Sequence, residues 1–202
     1  MKMQFIFLYN RLLVLVIVLA MTIGCASISR TGDPDHSKNN SKLIAVLPVK
    51  NQTADAKAAQ MLREKIFHEL YFKGYPKIPL QLIDEKLSKV YEGYAHFKRE
   101  NISPAAVGDI LGVDAVLYAT LRECSTSYSY IYAPMRVSVI LELRSAKNGV
   151  TLWSSQYSTI KRNYGFSRKQ LEMESCQTYE EAIEEVVDKI METFPDGPDS
   201  LT

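Results

Sequence analysis

The cysteine at position 25 is the residue of this 202-residue sequence whose surroundings point most directly to a chemical reaction. It follows an apolar block, LLVLVIVLAMTI at residues 12–23, and the small residue Gly24. Lys2 and Arg11 place positive charge ahead of the apolar block. A positive segment, a short apolar block and a small residue follow one another in this order in secretory signals. The sequence therefore predicts a signal peptide that is cleaved just before Cys25.

The segment 1–24 also resembles a bacterial lipoprotein signal, in which small or aliphatic residues ending in Gly or Ala precede a cysteine. The resemblance implies that Cys25 carries diacylglycerol on its sulfur and an acyl chain on its nitrogen, which is a stable anchor because more than one chain enters the bilayer. Ala26 follows where Asp would favour retention at the inner membrane, so the resemblance implies an outer-membrane lipoprotein. The apolar block spans only about 18 Å as a helix, against a hydrocarbon core of ~30 Å, which disfavours a simple transmembrane anchor.

The two other cysteines, Cys124 and Cys176, would then be the only free thiols in an oxidising compartment. A disulfide between them would close a loop of about 50 residues and add ~3–4 kcal/mol of stability. Two separate buried thiols are the alternative, and the sequence does not choose between them.

The sequence predicts no metal site, no cofactor and no catalytic residues. His36, His68 and His96 are scattered along the chain, and the spacing of Cys124 and Cys176 does not form a metal-binding pair. No glycine-rich phosphate loop and no GxSxG elbow is present in the sequence. Loss of the signal would change the formal net charge from +1 to −1, so the chain shows no electrostatic preference for nucleic acid.

Two aromatic segments are candidates for binding a partner. Tyr128, Tyr130 and Tyr132 would share one side of an extended strand, and tyrosines offer a wide amphipathic area at low entropy cost. The alternative is a half-buried sheet face beneath a helix. A second candidate is a basic cluster near Tyr164 and Phe166, which would meet lipid headgroups or an acidic partner, or simply form a solvated loop; it comprises Lys161, Arg162, Arg168 and Lys169.

The elements that must position these residues follow from periodicity. An apolar strand at 43–49 precedes a helix with Ala59, Leu62, Ile66 and Leu70 at helical spacing. A strand at 76–84, a helix after Asp84, a helix opened by Ser103 and Pro104, and three antiparallel strands follow. A capping box at Thr178 and Glu181 opens the last helix. Its core-facing stripe comprises Ala182, Ile183, Val186, Val187, Ile190 and Phe194.

The final hairpin has two candidate registers. A two-residue Asn148-Gly149 turn would split the apolar face, whereas a three-residue loop with left-handed Gly149 places Leu143 opposite Trp153. The second register keeps one apolar face, and we predict it.

The pieces LIAVLPVKNQTAD, GVDAVLYATL and RVSVILELRSAKNGVTLW, which lie between residues 42 and 160, together resemble a family of bacterial outer-membrane lipoproteins of unknown function. These proteins are related in fold to the N-terminal domain of TolB and to the secretion lipoprotein CsgG. The resemblance implies an α/β fold with one mixed sheet, a βαβ-type first half and an antiparallel second half. It also implies an accessory role in an envelope assembly, with membrane lipid and a CsgG-like protein as partners.

These observations predict a signal at 1–24, a tether at 25–42, a globular domain at 43–195 and a disordered tail at 196–202. The expected function is a lipid-anchored, non-catalytic binding or assembly module on the periplasmic side of the outer membrane, which could form a homodimer. A subunit of a CsgG-like secretion assembly and an envelope hydrolase are the alternatives.

Overall fold

The computed structural model describes residues 43–90 and 102–198, so Cys25, the signal, the tether and His96 lie outside the described residues. Nine elements follow one another along these ranges. They are β1 (Ile44–Val46), β2 (Lys50–Asn51), α1 (Ala56–Phe72), α2 (Leu80–Val90), α3 (Pro104–Leu111), β3 (Ala115–Thr126), β4 (Tyr132–Ser145), β5 (Thr151–Tyr164) and α4 (Arg168–Met191).

The strands form one mixed sheet in the order β1-β3-β4-β5, and β2 also pairs with β3. β1 and β2 run parallel to β3, while β3, β4 and β5 are antiparallel neighbours. A parallel pair requires a crossover connection, which α1, α2 and α3 provide between β1 and β3. The predicted α/β fold with a single mixed sheet and packed helices is confirmed.

The two faces of the sheet carry different amounts of helix. α1 and α4 cover one face, where Leu117, Val139 and Leu141 of the central strands are buried against Leu62 and Ile183. α2 and α3 cover only the part of the other face formed by β1 and the start of β3. The remainder of that second face is not covered by a described helix, and its side chains are mostly half-buried on β4 and exposed at alternate positions on β5.

α1 forms where the helical spacing predicts it. Asp55 is the N-cap, and its carboxylate accepts a hydrogen bond from the Ala58 amide at 2.9 Å. Leu62, Ile66 and Leu70 form its buried stripe. On its other flank, the Arg63 guanidinium binds both carboxylate oxygens of Asp84, at 2.7 and 2.8 Å, and thereby ties α1 to α2.

The hairpin register is confirmed. Gly149 is left-handed, with φ of +71°, and Leu143 pairs with Trp153. Val139 lies opposite Tyr157, so the apolar side chains of both strands stay on the face that α4 covers.

The predicted strand at 76–84 is wrong, because α2 begins at Leu80. Ile83 and Leu87 are the fully buried residues of this segment and lie one helical turn apart, which is the spacing of a helix face. Both the Leu82 and Ile83 amides donate to the Pro79 carbonyl, which opens the helix.

The predicted capping box at Thr178 and Glu181 is also wrong, because α4 begins at Arg168 and is already helical there. Ser167 is the N-cap and accepts from the Gln170 amide. The spacing Ser-x-x-Gln at 167–170 is itself a capping-box pattern. The predicted core stripe of this helix is confirmed, since all six residues are buried; they are Ala182, Ile183, Val186, Val187, Ile190 and Phe194.

The start of the predicted tail packs on the domain. The Gly197 amide donates to the Lys73 carbonyl at 2.7 Å, and Lys73 forms an ion pair with Asp196 at 3.2 Å. Residues 199–202 lie outside the described residues. Among the helices that the structure describes, none is both long and apolar enough to cross a bilayer.

Candidate functional site at the aromatic tip

The predicted tyrosine ladder does not form a strand. β3 ends at Thr126 and β4 begins at Tyr132, so Tyr128 and Tyr130 lie in the connection between them. Within this turn the Ser127 amide donates to the Pro134 carbonyl at 3.1 Å. The prediction of an extended strand through this segment is therefore wrong, although the tyrosines do reach a common surface.

That surface lies at one end of the sheet, where the β3–β4 turn meets the β5–α4 turn. We call it the aromatic tip and define it by Tyr128, Tyr130, Ile131, Tyr164 and Phe166. Tyr130 is 96% exposed and Phe166 is 95% exposed. Contiguous apolar surface of this kind marks interaction sites in soluble domains.

Backbone hydrogen bonds join the two turns of the tip. The Gly165 amide donates to the Ile131 carbonyl at 3.1 Å, which connects the β5–α4 turn to the β3–β4 turn. Tyr132 and Tyr164 are cross-strand partners whose ring centroids lie 5.1 Å apart. Because the turns are bonded to each other, the exposed rings project from a fixed base.

A buried amide supports this base from below. Asn163 is 4% exposed, and its side-chain nitrogen donates to the Ala133 carbonyl at 3.1 Å. Its side-chain oxygen accepts from the Thr178 hydroxyl at 3.2 Å, and its nitrogen also lies 3.4 Å from the Ser175 hydroxyl. Asn163 therefore links β5, β4 and α4 immediately below the tip, which sequence reasoning missed because its partners are 12 or more residues away.

The N-terminus of α4 completes the tip. The Gln170 side-chain oxygen accepts a hydrogen bond from the Phe166 amide at 3.1 Å. This bond fixes the backbone of Phe166, which directly precedes the N-cap Ser167. The Arg168 guanidinium lies 3.8 Å from the ring centre of Tyr128. Such stacking of a cation on an aromatic face contributes about 0.5–1 kcal/mol at an exposed site.

The structure divides the predicted basic cluster. Lys161 lies on the face of β5 toward α4 and forms an ion pair with Glu185 at 2.6 Å. That pair holds the pKa of Glu185 below its ordinary value. Arg168 forms an ion pair with Glu172. Arg162 and Lys169 are exposed. Three of the four cations, Arg162, Arg168 and Lys169, therefore border the aromatic tip, while Lys161 is bound within the domain.

A separate cluster of titratable groups lies between α1, β3 and α4. The Tyr179 hydroxyl donates to the Asp55 carboxylate at 2.5 Å. Burial and this hydrogen bond raise the pKa of Tyr179. Burial of Asp55 opposes ionisation, but hydrogen bonds from Tyr179 and the start of α1 outweigh it and lower the pKa of Asp55. These contacts lock a helix cap to a distant helix and are structural.

Cys124 adjoins this cluster and is a poor nucleophile. Burial, reinforced by the nearby Asp55 charge, raises the pKa of its thiol to about 11, so the thiolate is scarce near neutral pH. Cys176 is exposed on α4, and both cysteines are free thiols in the structure. The arrangement matches the alternative of two separate thiols, although only one of them is partly buried. The disulfide between Cys124 and Cys176 stays a prediction.

The histidines lie apart from these clusters. His68 is exposed on α1, while His36 and His96 fall outside the described residues. Within residues 43–90 and 102–198, no three side chains of His, Cys, Asp or Glu are grouped so that they could hold a metal ion.

Comparisons with known proteins give the family. A protein of Neisseria meningitidis serogroup B, named "Putative lipoprotein NMB1124/NMB1162", is 25% identical over 150 residues, which are 72% of this chain and 69% of that protein. The crystal structure of lipoprotein GNA1162 from Neisseria meningitidis matches with a TM-score of 0.53 and 25% identity, over 67% of this chain and 93% of that one. The family described as "Putative lipoprotein GNA1162-like" matches residues 34–201. The chain therefore belongs to the GNA1162-like lipoprotein family.

Proposed function

We propose that this chain is a lipid-anchored lipoprotein of the outer membrane that faces the periplasm and binds a protein partner of an envelope assembly through its aromatic tip. Cys25 carries the acyl chains, residues 25–42 form the tether and the domain begins at residue 43. Membership of a lipoprotein family supports the anchor. The observation that carries the binding role is the exposure of Tyr130 and Phe166 on a base held by hydrogen bonds.

The position of the tip in the sheet fits this role. β1 and β3 are parallel, so residue 43, where the tether joins, lies at the end of the sheet where β3 begins. The tip lies where β3 ends, and the 12 residues of β3 extend over about 36 Å at ~3.3 Å per residue. The tether therefore joins the domain at the end of the sheet opposite the tip. Exposed aromatic side chains beside Arg162 and Lys169 suit an apolar partner surface with acidic groups at its rim.

The proposed role is non-catalytic. The buried titratable groups support it, because Asp55 and Tyr179 bind each other and the raised pKa keeps the Cys124 thiol protonated. We also propose that the chain is related in fold to the TolB N-terminal domain and to CsgG, and that it acts beside a CsgG-like secretion protein.

The test compares three forms of the full-length chain in its own membrane after mild cross-linking. Replacing Tyr130 and Phe166 by serine should abolish the cross-linked partner without releasing the chain from the outer membrane. The matched control replaces Tyr71 and Phe72, two exposed aromatic residues on α1, by serine and should keep the partner. Cys25→Ala should leave the chain unacylated and absent from the outer membrane, as measured by intact mass and fractionation.

The variants test the role of the aromatic tip and the lipid anchor separately. Retention of the cross-linked partner by the tip variant would refute the role of the aromatic tip. Outer-membrane partition of Cys25→Ala, with the mass of the wild-type protein, would refute the lipid anchor.

A further inference from the structure

β5 is an unusual edge strand. It pairs with β4 on one side, and among the described residues no strand pairs along its other side. It is 14 residues long, against about 5–6 for a typical strand. Natural proteins protect such edges with charges, proline or short length, because the free amides and carbonyls recruit another strand. From residue 151 to residue 160 β5 contains neither charge nor proline.

The exposed side chains of this edge strand read as a near-palindrome about Gln156. Alternate residues of β5 face away from α4 and are exposed. Ser154 and Ser158 flank Gln156, and Leu152 and Ile160 flank the serines. A two-fold axis through Gln156 would place these exposed residues opposite the same or a similar type in a second copy, with glutamine on glutamine, serine on serine and leucine on isoleucine. The resulting interface would be isologous, because the same surface is used by both copies.

The same axis also suits the other face of β5. It sets Tyr157 opposite Ser155 of the second copy and Trp153 opposite Thr159, so each large ring meets a small side chain. Lys161 falls opposite Thr151, which separates the lysines of the two copies by ten residues, or about 33 Å at ~3.3 Å per residue. An axis one residue further along the chain, at Tyr157, would instead place Lys161 opposite Trp153 and Arg162 opposite Leu152.

We propose that two copies of this chain pair through β5, antiparallel and centred on Gln156, into one continuous sheet. The contact buries two copies of the Leu152–Ile160 pair, whose members are 37% and 47% exposed in the single chain. It leaves the aromatic tips uncovered at the two ends of the joined sheet, so it is compatible with the proposed partner site and does not depend on it.

Cysteine trapping tests the register in the full-length, detergent-extracted chain. The background carries Cys176→Ser, and the raised pKa keeps Cys124 unreactive. Directly opposed residues of an antiparallel pair have Cα atoms about 4.5–5.5 Å apart, within the range a disulfide bridges. Gln156→Cys should therefore form a covalent dimer under mild oxidation.

A matched variant fixes the register. In Ser154→Cys the two new thiols lie about 13 Å apart along the strands, too far for a disulfide, whereas a mixture of Ser154→Cys and Ser158→Cys should cross-link. Equal cross-linking of Gln156→Cys and Ser154→Cys would overturn the register.

Sedimentation of the chain without new cysteines tests the association itself. Ile160→Lys should raise the dissociation constant about tenfold, because it removes an apolar cross-strand pair twice, each contributing up to ~1 kcal/mol. Leu82→Lys, at a similarly exposed leucine of α2, should leave the dissociation constant unchanged. A wild-type chain that sediments as a monomer would overturn the pairing, and so would equal dissociation constants for the two variants. If β5 instead binds a different protein, the purified chain would sediment as a monomer.

Discussion

Replacing Asp55 by alanine should lower the free energy of unfolding by about 2.5–4 kcal/mol. Loss of an N-cap carboxylate costs ~1 kcal/mol, and loss of a hydrogen bond to a charged group costs ~1.5–3 kcal/mol. Asp55 makes both contacts, since it accepts from the Ala58 amide at the start of α1 and from the Tyr179 hydroxyl. At ~2–4 °C per kcal/mol for a domain of this size, the melting temperature should fall by about 5–16 °C.

A double-mutant cycle separates the two contacts. Tyr179→Phe removes the hydroxyl alone and should cost about 1.5 kcal/mol, whereas Tyr71→Phe, at an exposed ring, should cost less than ~0.5 kcal/mol. If the hydrogen bond joins α1 to α4 as the structure shows, the effects of Asp55→Ala and Tyr179→Phe should be non-additive by about 1.5 kcal/mol in chemical denaturation. Additivity within ~0.5 kcal/mol would refute the argument.

The Asp55 carboxylate also makes the stabilisation by its hydrogen bonds depend on pH. The pKa of Asp55 is lower in the folded chain than its ordinary value of 3.8, so the unfolded chain binds the proton more tightly. The stabilisation is therefore complete above about pH 4 to 5 and is lost as the pH falls through the folded pKa. Denaturation curves of wild type and Asp55→Ala should converge in that acidic range; a constant difference down to pH 2 would contradict the assignment.

Two further predictions concern the thiols and the base of the tip. At pH 7.5 a maleimide should label Cys176 rapidly, because it is exposed, and Cys124 slowly, because burial raises the pKa of its thiol to about 11. If neither cysteine is labelled until a reductant is added, the two form a disulfide. Asn163→Ala should lower the free energy of unfolding by about 2–3 kcal/mol, because the Ala133 carbonyl loses the amide that binds it and the Thr178 hydroxyl loses one of its two acceptors. The loss should be visible in thermal melts. A cost below ~0.5 kcal/mol would show that the amide does not support the tip.

Local patterns in the sequence determined several elements correctly. The spacing of Leu62, Ile66 and Leu70 is enough to specify α1, because the side chains of one helix face recur every three or four residues. The hairpin register followed from requiring Leu143 and Trp153 to share one apolar face with Gly149 left-handed. Each of these signals lies within about ten residues of the chain.

Two elements were predicted wrongly because their sequence patterns fit two different structures. The segment containing Leu80, Leu82 and Ile83 alternates like a strand and also repeats like a helix, and only its burial against β1 and α3 selects the helix. Thr178 begins a capping-box pattern, but α4 continues N-terminally to Arg168 because Leu171 and Ser175 are buried. The hydroxyl of Thr178 then binds Asn163 instead of capping a helix.

The sequence by itself determined the class of the fold and the residues of α1 and of the hairpin, because these depend on order and spacing along the chain; the signal before Cys25 stays a prediction. Only the tertiary structure decided that Tyr130 and Phe166, 36 positions apart, share one exposed tip, and that β5 lies at the edge of the sheet. Those features depend on which strands pair and on which side chains remain uncovered after packing. Such long-range pairings leave no periodic signal in the segments that form them.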